Sequence, residues 1–176
     1  MGKYRKNTVA ASRVSMSELV MPNDTNPLGN LMGGKLMQWM DICAAISAQR
    51  HCNRNVVTVA VDSVEFVNVI ALGEVVVIEG EITRAYRTSM EVALCVWAED
   101  LRTGSKRLCT TSYYSYVAVD SKGKPVPVPP VIPETKSEKQ RYEEAQQRRD
   151  QRLKHSQKIR DMARKFEVQG DEDIDE

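Results

Sequence analysis

Residues 35–51 have the sequence KLMQWMDICAAISAQRH, which runs for seventeen positions without a glycine or a proline. The large apolar side chains recur at spacings of three, four and three, which is the period of an amphipathic α-helix. These residues are Leu36, Trp39, Cys43 and Ile46. The other positions are also mostly apolar, so we expect the helix to be covered on most sides. The stretch therefore predicts one long, largely buried helix.

Four strand-like segments follow the helix. They are rich in β-branched and aromatic residues and alternate in several places, as half-buried strands do. They cover residues 56–67, 74–84, 89–99 and 107–119, and a weaker strand pattern spans residues 8–20. Four successive strands predict an antiparallel sheet with the helix covering one face. An open edge strand in such a sheet favours pairing with another copy of the chain.

The chain changes character near its end. Residues 120–133 hold five of the seven prolines and predict an extended arm. Residues 134–167 are strongly helix-forming and mostly charged, whereas the acidic residues 167–176 are typical of disorder. The predicted organisation is a domain over residues 1–133 followed by a charged helical extension with an acidic tail over residues 134–176.

Charge and hydropathy argue against several kinds of partner. The formal net charge is +1, which gives no global attraction to nucleic acid or anionic lipid. Residues 136–165 carry eleven Lys or Arg against five Asp or Glu. The two signs are interleaved, and interleaved aromatics are lacking, so a solvated helix is favoured over a nucleic-acid interface. No apolar run approaches the roughly 20 residues of a membrane span, and the N-terminus lacks the apolar core of a secretory signal. We therefore expect a cytoplasmic protein.

Cysteine and histidine usage gives no sign of a metal centre. None of the four cysteines forms a CxxC pair, and only two histidines are present, so a zinc site is not expected. Three of the cysteines lie among apolar residues and are expected to be small buried hydrophobes in a reducing compartment. These are Cys43, Cys95 and Cys109.

A loop rich in Pro, Asn, Asp and Gly precedes the helix and ends in Gly33-Gly34. The first N–H groups of a helix have no partner within it, and the helix dipole adds partial positive charge there. Such a helix start suits a developing oxyanion. An ordinary helix cap would use the same residues, so the glycine pair alone leaves both interpretations open.

Asp41 is the only acid between Asp24 and Asp62, and its neighbours on a helix surface include no cation. A carboxylate there is unfavourable unless it is hydrogen-bonded or used, although a polar edge beside Gln38 would also accommodate it. Seven residues separate Gly34 from Asp41, or about 10 Å along a helix. Asp41 therefore cannot reach a carbonyl held at the start of its own helix. Two antiparallel helices across a two-fold axis would bring the groups together.

Residues 24–41, DTNPLGNLMGGKLMQWMD, resemble the DTNxxGxxxGGxxxxxMD motif of the acyl-CoA hydrolases among hotdog thioesterases. The later segments VVTVAVDSVEFVNVI, AYRTSMEVALCVWAED and TSYYSYVAVDSKGKPVPVP resemble the strands of that family, so the likeness covers about residues 10–130. It implies an α+β hotdog fold, an antiparallel sheet wrapped round one long central helix, here with a C-terminal helical extension. It also implies hydrolysis of fatty acyl-CoA at a dimer interface, within a homodimer or hexamer, and no cofactor beyond the coenzyme A of the substrate.

The resemblance also assigns catalytic roles. Asn26 is expected to orient the thioester carbonyl or the attacking water. A backbone N–H near Gly34, beside Gly33, is expected to polarise the carbonyl. Asp41 of the partner subunit is expected to be a general base or a nucleophile, between which the sequence does not decide.

A second set of expected contacts lies in a turn between strands. Arg87, Thr88 and Ser89 resemble the turn that approaches the pantetheine and phosphates of coenzyme A, although Arg87 could equally be a surface charge at a strand end. The sequence departs from the family at Val69, where proline is usual. It also has Pro27 after the asparagine of the motif, which restricts that asparagine to an extended conformation.

Two alternative functions follow from the same fold. A hotdog dehydratase would need a catalytic histidine in the core, whereas His51 lies at the end of the helix and His155 in the extension. A non-catalytic acyl-CoA-binding or regulatory module would need no buried carboxylate. The presence of both Asn26 and Asp41 therefore favours an enzyme.

Overall fold

The computed structural model describes residues 7–172, with side chains through residue 164. The strands are β1 (Val14–Leu19), β2 (Asn55–Val61), β3 (Val75–Ala85), β4 (Ser89–Asp100) and β5 (Ser105–Val119). The helices are α1 (Val9–Ser12), α2 (Gly33–Cys52) and α3 (Lys136–Glu172), and a 3-10 turn covers Pro22–Asp24.

The five strands form one antiparallel sheet in the order β1-β3-β4-β5-β2. Strands β3, β4 and β5 follow one another as hairpins, as the uninterrupted strand pattern predicts. Strand β2 occupies one edge of the sheet, so its outer hydrogen-bonding side has no partner within the described chain.

Helix α2 packs across one face of this sheet. Its buried side chains include Leu36, Met40 and Cys43, and the core continues into the inward-facing residues of β3, β4 and β5. The helix approaches β3 closely at Gly80, where an added Cβ would lie 3.3 Å from the Cys43 sulfur. The prediction of an antiparallel sheet wrapped round one long central helix is confirmed, and the fold is the hotdog.

One face of α2 is more open than the sequence suggested. Met37 and Ile42 are 40% and 43% exposed, although we expected cover on most sides of the helix. Strand β2, at the edge of the sheet, is also open, with Val57, Val59 and Val61 between 46% and 56% exposed. The prediction that the helix is apolar on most sides is correct, but a single chain leaves part of this apolar surface exposed.

Two strand boundaries differ from the sequence prediction. Strand β2 ends at Val61, and residues 62–67 are not a strand. They follow β5 through isolated bonds such as the one from the Val67 N–H to the Cys109 carbonyl. The first segment is split, because Thr8 caps the short helix α1 before β1 begins at Val14.

The proline-rich arm and the helix that follows it have the predicted character, whereas the expected disorder of the acidic end is not seen up to residue 172. The proline-rich arm contains no helix or strand and forms only isolated bridges, including one from Ile132 to Thr8. A capping box starts α3, with Thr135 and Glu138 each accepting a backbone N–H from the other end of the turn. The helix continues to Glu172, into the segment expected to be disordered, and residues 173–176 lie outside the described part.

The first half of α3 is not the solvated helix that the sequence suggested. Ala145 is fully buried, and Tyr86 donates a hydrogen bond from its hydroxyl to the Ala145 carbonyl. Arg148 and Arg152 both bond to Glu91, a carboxylate only 1% exposed on β4. These contacts fix α3 to the outer face of the sheet. Within residues 7–172, no helix has the length and apolarity needed to cross a membrane.

Candidate active site

Asp41 lies in the third turn of α2, half-buried beside the sheet. Its Oδ1 accepts hydrogen bonds from the Thr58 hydroxyl at 2.8 Å and the Tyr116 hydroxyl at 2.7 Å. Tyr116 also lies 2.9 Å from the Asp41 carbonyl oxygen. Among the described residues no group donates to Oδ2. One carboxylate oxygen is therefore fixed by two hydroxyls, while the other is left to accept a proton from a water molecule or a substrate.

Both hydroxyl partners come from the inner face of the sheet. Thr58 on β2 pairs directly with Tyr116 on β5, and a register irregularity follows Thr58. Because Tyr114 and Tyr116 alternate with outward residues, both rings point toward α2 and are buried. Neither Thr58 nor Tyr116 was predicted from the sequence. The available signal was the hydroxyl-rich run TTSYYSY in the last strand.

The two tyrosines remain protonated near neutral pH. Burial, and then the hydrogen bond to Asp41, raises the pKa of Tyr116 far above its ordinary value. Burial and the nearby Asp41 charge raise the pKa of Tyr114 to about 12. A neutral hydroxyl donates, so Tyr116 can hold the carboxylate without competing for its negative charge.

Asn26 lies in the loop before α2. Its Oδ1 accepts backbone N–H bonds from Leu28 at 3.0 Å and Asn30 at 3.2 Å, so the loop itself fixes the orientation of the amide. Within the described chain the Nδ2 group has no acceptor. This leaves a positioned donor, which suits the predicted role of orienting a carbonyl oxygen or a water.

Among the described residues, no side chain caps the start of α2. Met32 is the N-cap residue, and its side chain makes no capping hydrogen bond to the first N–H groups. An added Cβ at Gly33 would lie 3.3 Å from the Phe66 ring, whereas one at Gly34 would meet nothing within 4 Å. The space beside the Gly34 Cα is thus open, and its N–H, which has no acceptor outside the helix among the described residues, lies at the positive end of the helix dipole, where a developing oxyanion would be stabilised.

Within one chain, Asp41 lies apart from the Asn26 amide and the Gly34 N–H. Asn26 and Gly34 lie at the beginning of α2, whereas Asp41 is seven residues farther on, about 10 Å along the axis. Asp41 bonds instead to the two hydroxyls of the sheet. The described chain therefore carries two separate half-sites.

The turn between β3 and β4 holds the remaining predicted residues. The Arg87 carbonyl accepts from the Val128 N–H of the arm, and the Arg87 side chain is exposed. The Thr88 carbonyl accepts from the Ala118 N–H of β5. The Ser89 hydroxyl accepts from Arg149 of α3 at 3.1 Å. None of the three touches Asp41, but Ser89 pairs with the residue next to Tyr116 on β5.

No metal site accompanies these groups in the part of the chain that the structure describes, where no three His, Cys, Asp or Glu side chains form a cluster suited to metal binding. The cysteines are unpaired, and burial raises the pKa of Cys43 to about 11. Such a thiol is a poor nucleophile at neutral pH. The chemical groups of the site are thus a carboxylate, two hydroxyls, an amide and a helix start.

A family comparison agrees with this fold and these groups. The profile of the Thioesterase superfamily matches residues 28–105, from the loop before α2 to the start of β5. This region holds the Gly33-Gly34 helix start, Asp41 and Thr58. The class of protein is therefore a hotdog thioesterase.

Curated relatives identify the branch of that superfamily. The chain is 45% identical over 151 residues to the uncharacterized acyl-CoA thioester hydrolase YkhA of Bacillus subtilis, covering 84% of this chain and 88% of that protein. It is 39% identical over 144 residues to the cytosolic acyl coenzyme A thioester hydrolase of Rattus norvegicus, covering 81% of this chain but 38% of that longer protein. The chain belongs to the acyl-CoA thioester hydrolase family.

Solved structures support the same assignment. An apo-hexameric acyl-CoA thioesterase superposes with a TM-score of 0.82 at 44% identity, covering 85% of this chain and 96% of that one. The acyl-CoA hydrolase of Staphylococcus aureus, in complex with butyryl coenzyme A, coenzyme A and coenzyme A disulfide, gives 0.79 at 34% identity, covering 89% and 98%.

Proposed function

We propose that this protein hydrolyses acyl-CoA thioesters to a free acid and coenzyme A. The observation that carries the proposal is the Asp41 carboxylate, whose Oδ1 accepts from Thr58 and Tyr116 while Oδ2 has no donor among the described residues. Binding alone does not require a carboxylate prepared in this way. Thioester hydrolysis can use such a carboxylate, either to take a proton from water or to attack the carbonyl itself.

The other groups complete the reaction. The carbonyl oxygen of the thioester accepts from the Gly34 N–H and the Asn26 Nδ2, both of which are free in the described chain. Addition of water to the carbonyl carbon places negative charge on that oxygen, where the helix start stabilises it. The carbon–sulfur bond then breaks, and the thiolate of coenzyme A takes up the proton that leaves the water.

The complete site requires two subunits. Because Asp41 lies about 10 Å along α2 from the helix start, a second copy must supply one of the halves. The open edge of β2 and the exposed apolar face of α2 offer the surface for such a homodimer. The hexameric thioesterase with the same fold supports further association of three dimers.

Variants of the Staphylococcus aureus enzyme support the choice of residues. Structures of that acyl-CoA hydrolase include single alanine variants of an asparagine, an aspartate and a threonine. The positions of the three residues in that enzyme are separated by the same intervals as Asn26, Asp41 and Thr58 in this chain. We also propose that the protein is located in the cytosol, since mammalian relatives are named as cytosolic hydrolases.

A thiol-release assay with acyl-CoAs of several chain lengths tests the proposal. We expect turnover by the parent and a loss of about a hundredfold or more in Asp41→Asn. The matched control is Asp150→Asn, which makes the same chemical change at an exposed position of α3 and should retain full activity. A parent that binds coenzyme A but hydrolyses no member of the panel would identify a binding module instead.

A further inference from the structure

A groove of about 1410 Å³ lies between the middle of α3 and the outer face of the sheet. Its floor is formed by outward-facing residues of β2 and β5, including Val59 and Val117, and one end is lined by Thr88 and Ser89 of the turn. The groove lies on the opposite face of the sheet from Asp41, since the β5 side chains alternate between the two faces.

The α3 side of this groove carries four arginines, two of which form ion pairs with the sheet. Arg148 and Arg152 line it but are neutralised by Glu91 and Asp62, with contacts of 2.6 to 2.8 Å. These two arginines serve to attach the helix to the sheet. They are therefore unavailable to a ligand.

Two further arginines line the groove without a carboxylate partner among the described residues. Arg149 donates to the Ser89 hydroxyl and lies 4.0 Å from the centre of the Tyr86 ring, and Arg160 lies three turns farther along the same side of α3. Glu65 is the remaining acid of the lining. The groove thus keeps an excess of guanidinium groups, which prefer phosphate as a ligand.

The groove opens next to the proposed catalytic groups. Ser89 pairs with Val117 on β5, and the adjacent pair joins Met90 to Tyr116, the residue that holds Asp41. Neighbouring residues of a strand lie about 3.3 Å apart, so the turn and Tyr116 share one end of the sheet. A long ligand can therefore place its reacting group at Asp41, on the inner face of the sheet, and its phosphates in the groove on the outer face. Such a ligand passes over the end of the sheet that holds the turn and Tyr116.

We propose that α3 supplies a phosphate-binding part of the acyl-CoA site, with Arg149 and Arg160 contacting phosphates of the coenzyme. The inference rests on the proposed function, because acyl-CoA is the ligand with a thioester at one end and phosphates at the other. It assigns a role to the charged extension, which lies outside the region of the family profile. The turn and α3 together form one side of the channel for the coenzyme.

Kinetics of Arg149→Gln/Arg160→Gln test the assignment. We expect KM for acyl-CoA to rise about tenfold or more with kcat nearly unchanged, since charged hydrogen bonds to phosphate are lost outside the reacting centre. The matched control is Lys154→Gln/Lys158→Gln, which removes the same charge from another side of α3 and should leave KM unaltered. Thermal unfolding of both variants would reveal any loss of fold.

A second substrate separates phosphate binding from chemistry. An acyl-pantetheine thioester has no phosphates, so the arginine variant should hydrolyse it as well as the parent does. Equal KM values for acyl-CoA in the parent and the arginine variant would overturn the assignment while leaving the hydrolase function intact. If the parent proves inactive, calorimetric titration with coenzyme A tests the assignment without catalysis. The arginine variant should then bind coenzyme A about tenfold more weakly than the lysine control.

Discussion

Mixing two inactive variants tests whether the site is shared between subunits. Asn26→Ala removes the amide donor near the start of α2, and Asp41→Asn removes the carboxylate about 10 Å farther along the helix. Each variant alone should lose about a hundredfold or more of its activity, because every site lacks one group. In a mixed dimer one site lacks both groups, and the other has both.

The expected recovery follows from symmetry. Random association of equal amounts places half of the dimers in the mixed state, with one of two sites complete, so about a quarter of the parental activity should return. The assay is thiol release from saturating acyl-CoA after the two variants are unfolded together and refolded. Each variant refolded alone provides the baseline. A mixture no more active than this baseline would show that Asn26 and Asp41 act within one chain, and the shared-site reasoning would be wrong.

Four further substitutions probe the site and its support. Thr58→Val and Tyr116→Phe each remove one hydroxyl donor from Asp41. In steady-state kinetics each should lower kcat about tenfold with little change in KM. An unchanged kcat in both variants would show that the two hydroxyls play no part in catalysis. Gly34→Ala adds a methyl group into open space and keeps the backbone N–H, so urea unfolding should show stability kept or raised by up to about 1 kcal/mol while activity falls through crowding of the substrate; full activity would show that the substrate does not occupy the space beside the Gly34 Cα. Glu91→Gln removes the buried carboxylate that holds α3, and should lower the free energy of unfolding by about 2 kcal/mol in the same experiment; an unaltered unfolding midpoint would contradict this role.

The central helix and the half-site on it could be predicted from sequence because each depends on local pattern. Seventeen residues without glycine or proline, with apolar side chains at helical spacing, predict α2, and the lone acid among them is Asp41. The partners of Asp41 were not predictable in the same way. Threonine and tyrosine are ordinary strand residues, and only the pairing of Thr58 with Tyr116 shows that both face the helix.

The extension shows the same limit more clearly. Its arginines are typical of a solvated helix when the segment is considered alone. Glu91, which receives Arg148 and Arg152, lies 57 and 61 residues earlier in the chain and resembles any polar strand residue. Long-range charge pairing of this kind depends on how the elements pack, so the sequence predicted the helix but not its attachment.

The unpaired edge of β2 has a consequence for when the enzyme can act. If a working centre exists only where two chains meet, its formation is second order in protein concentration, and a newly made chain is inert toward thioesters. Activity per chain should then fall on dilution below the dissociation constant of the dimer, while the fold of each separate chain could persist. In the cell, the rate of thioester loss would rise more steeply than the amount of protein at low expression.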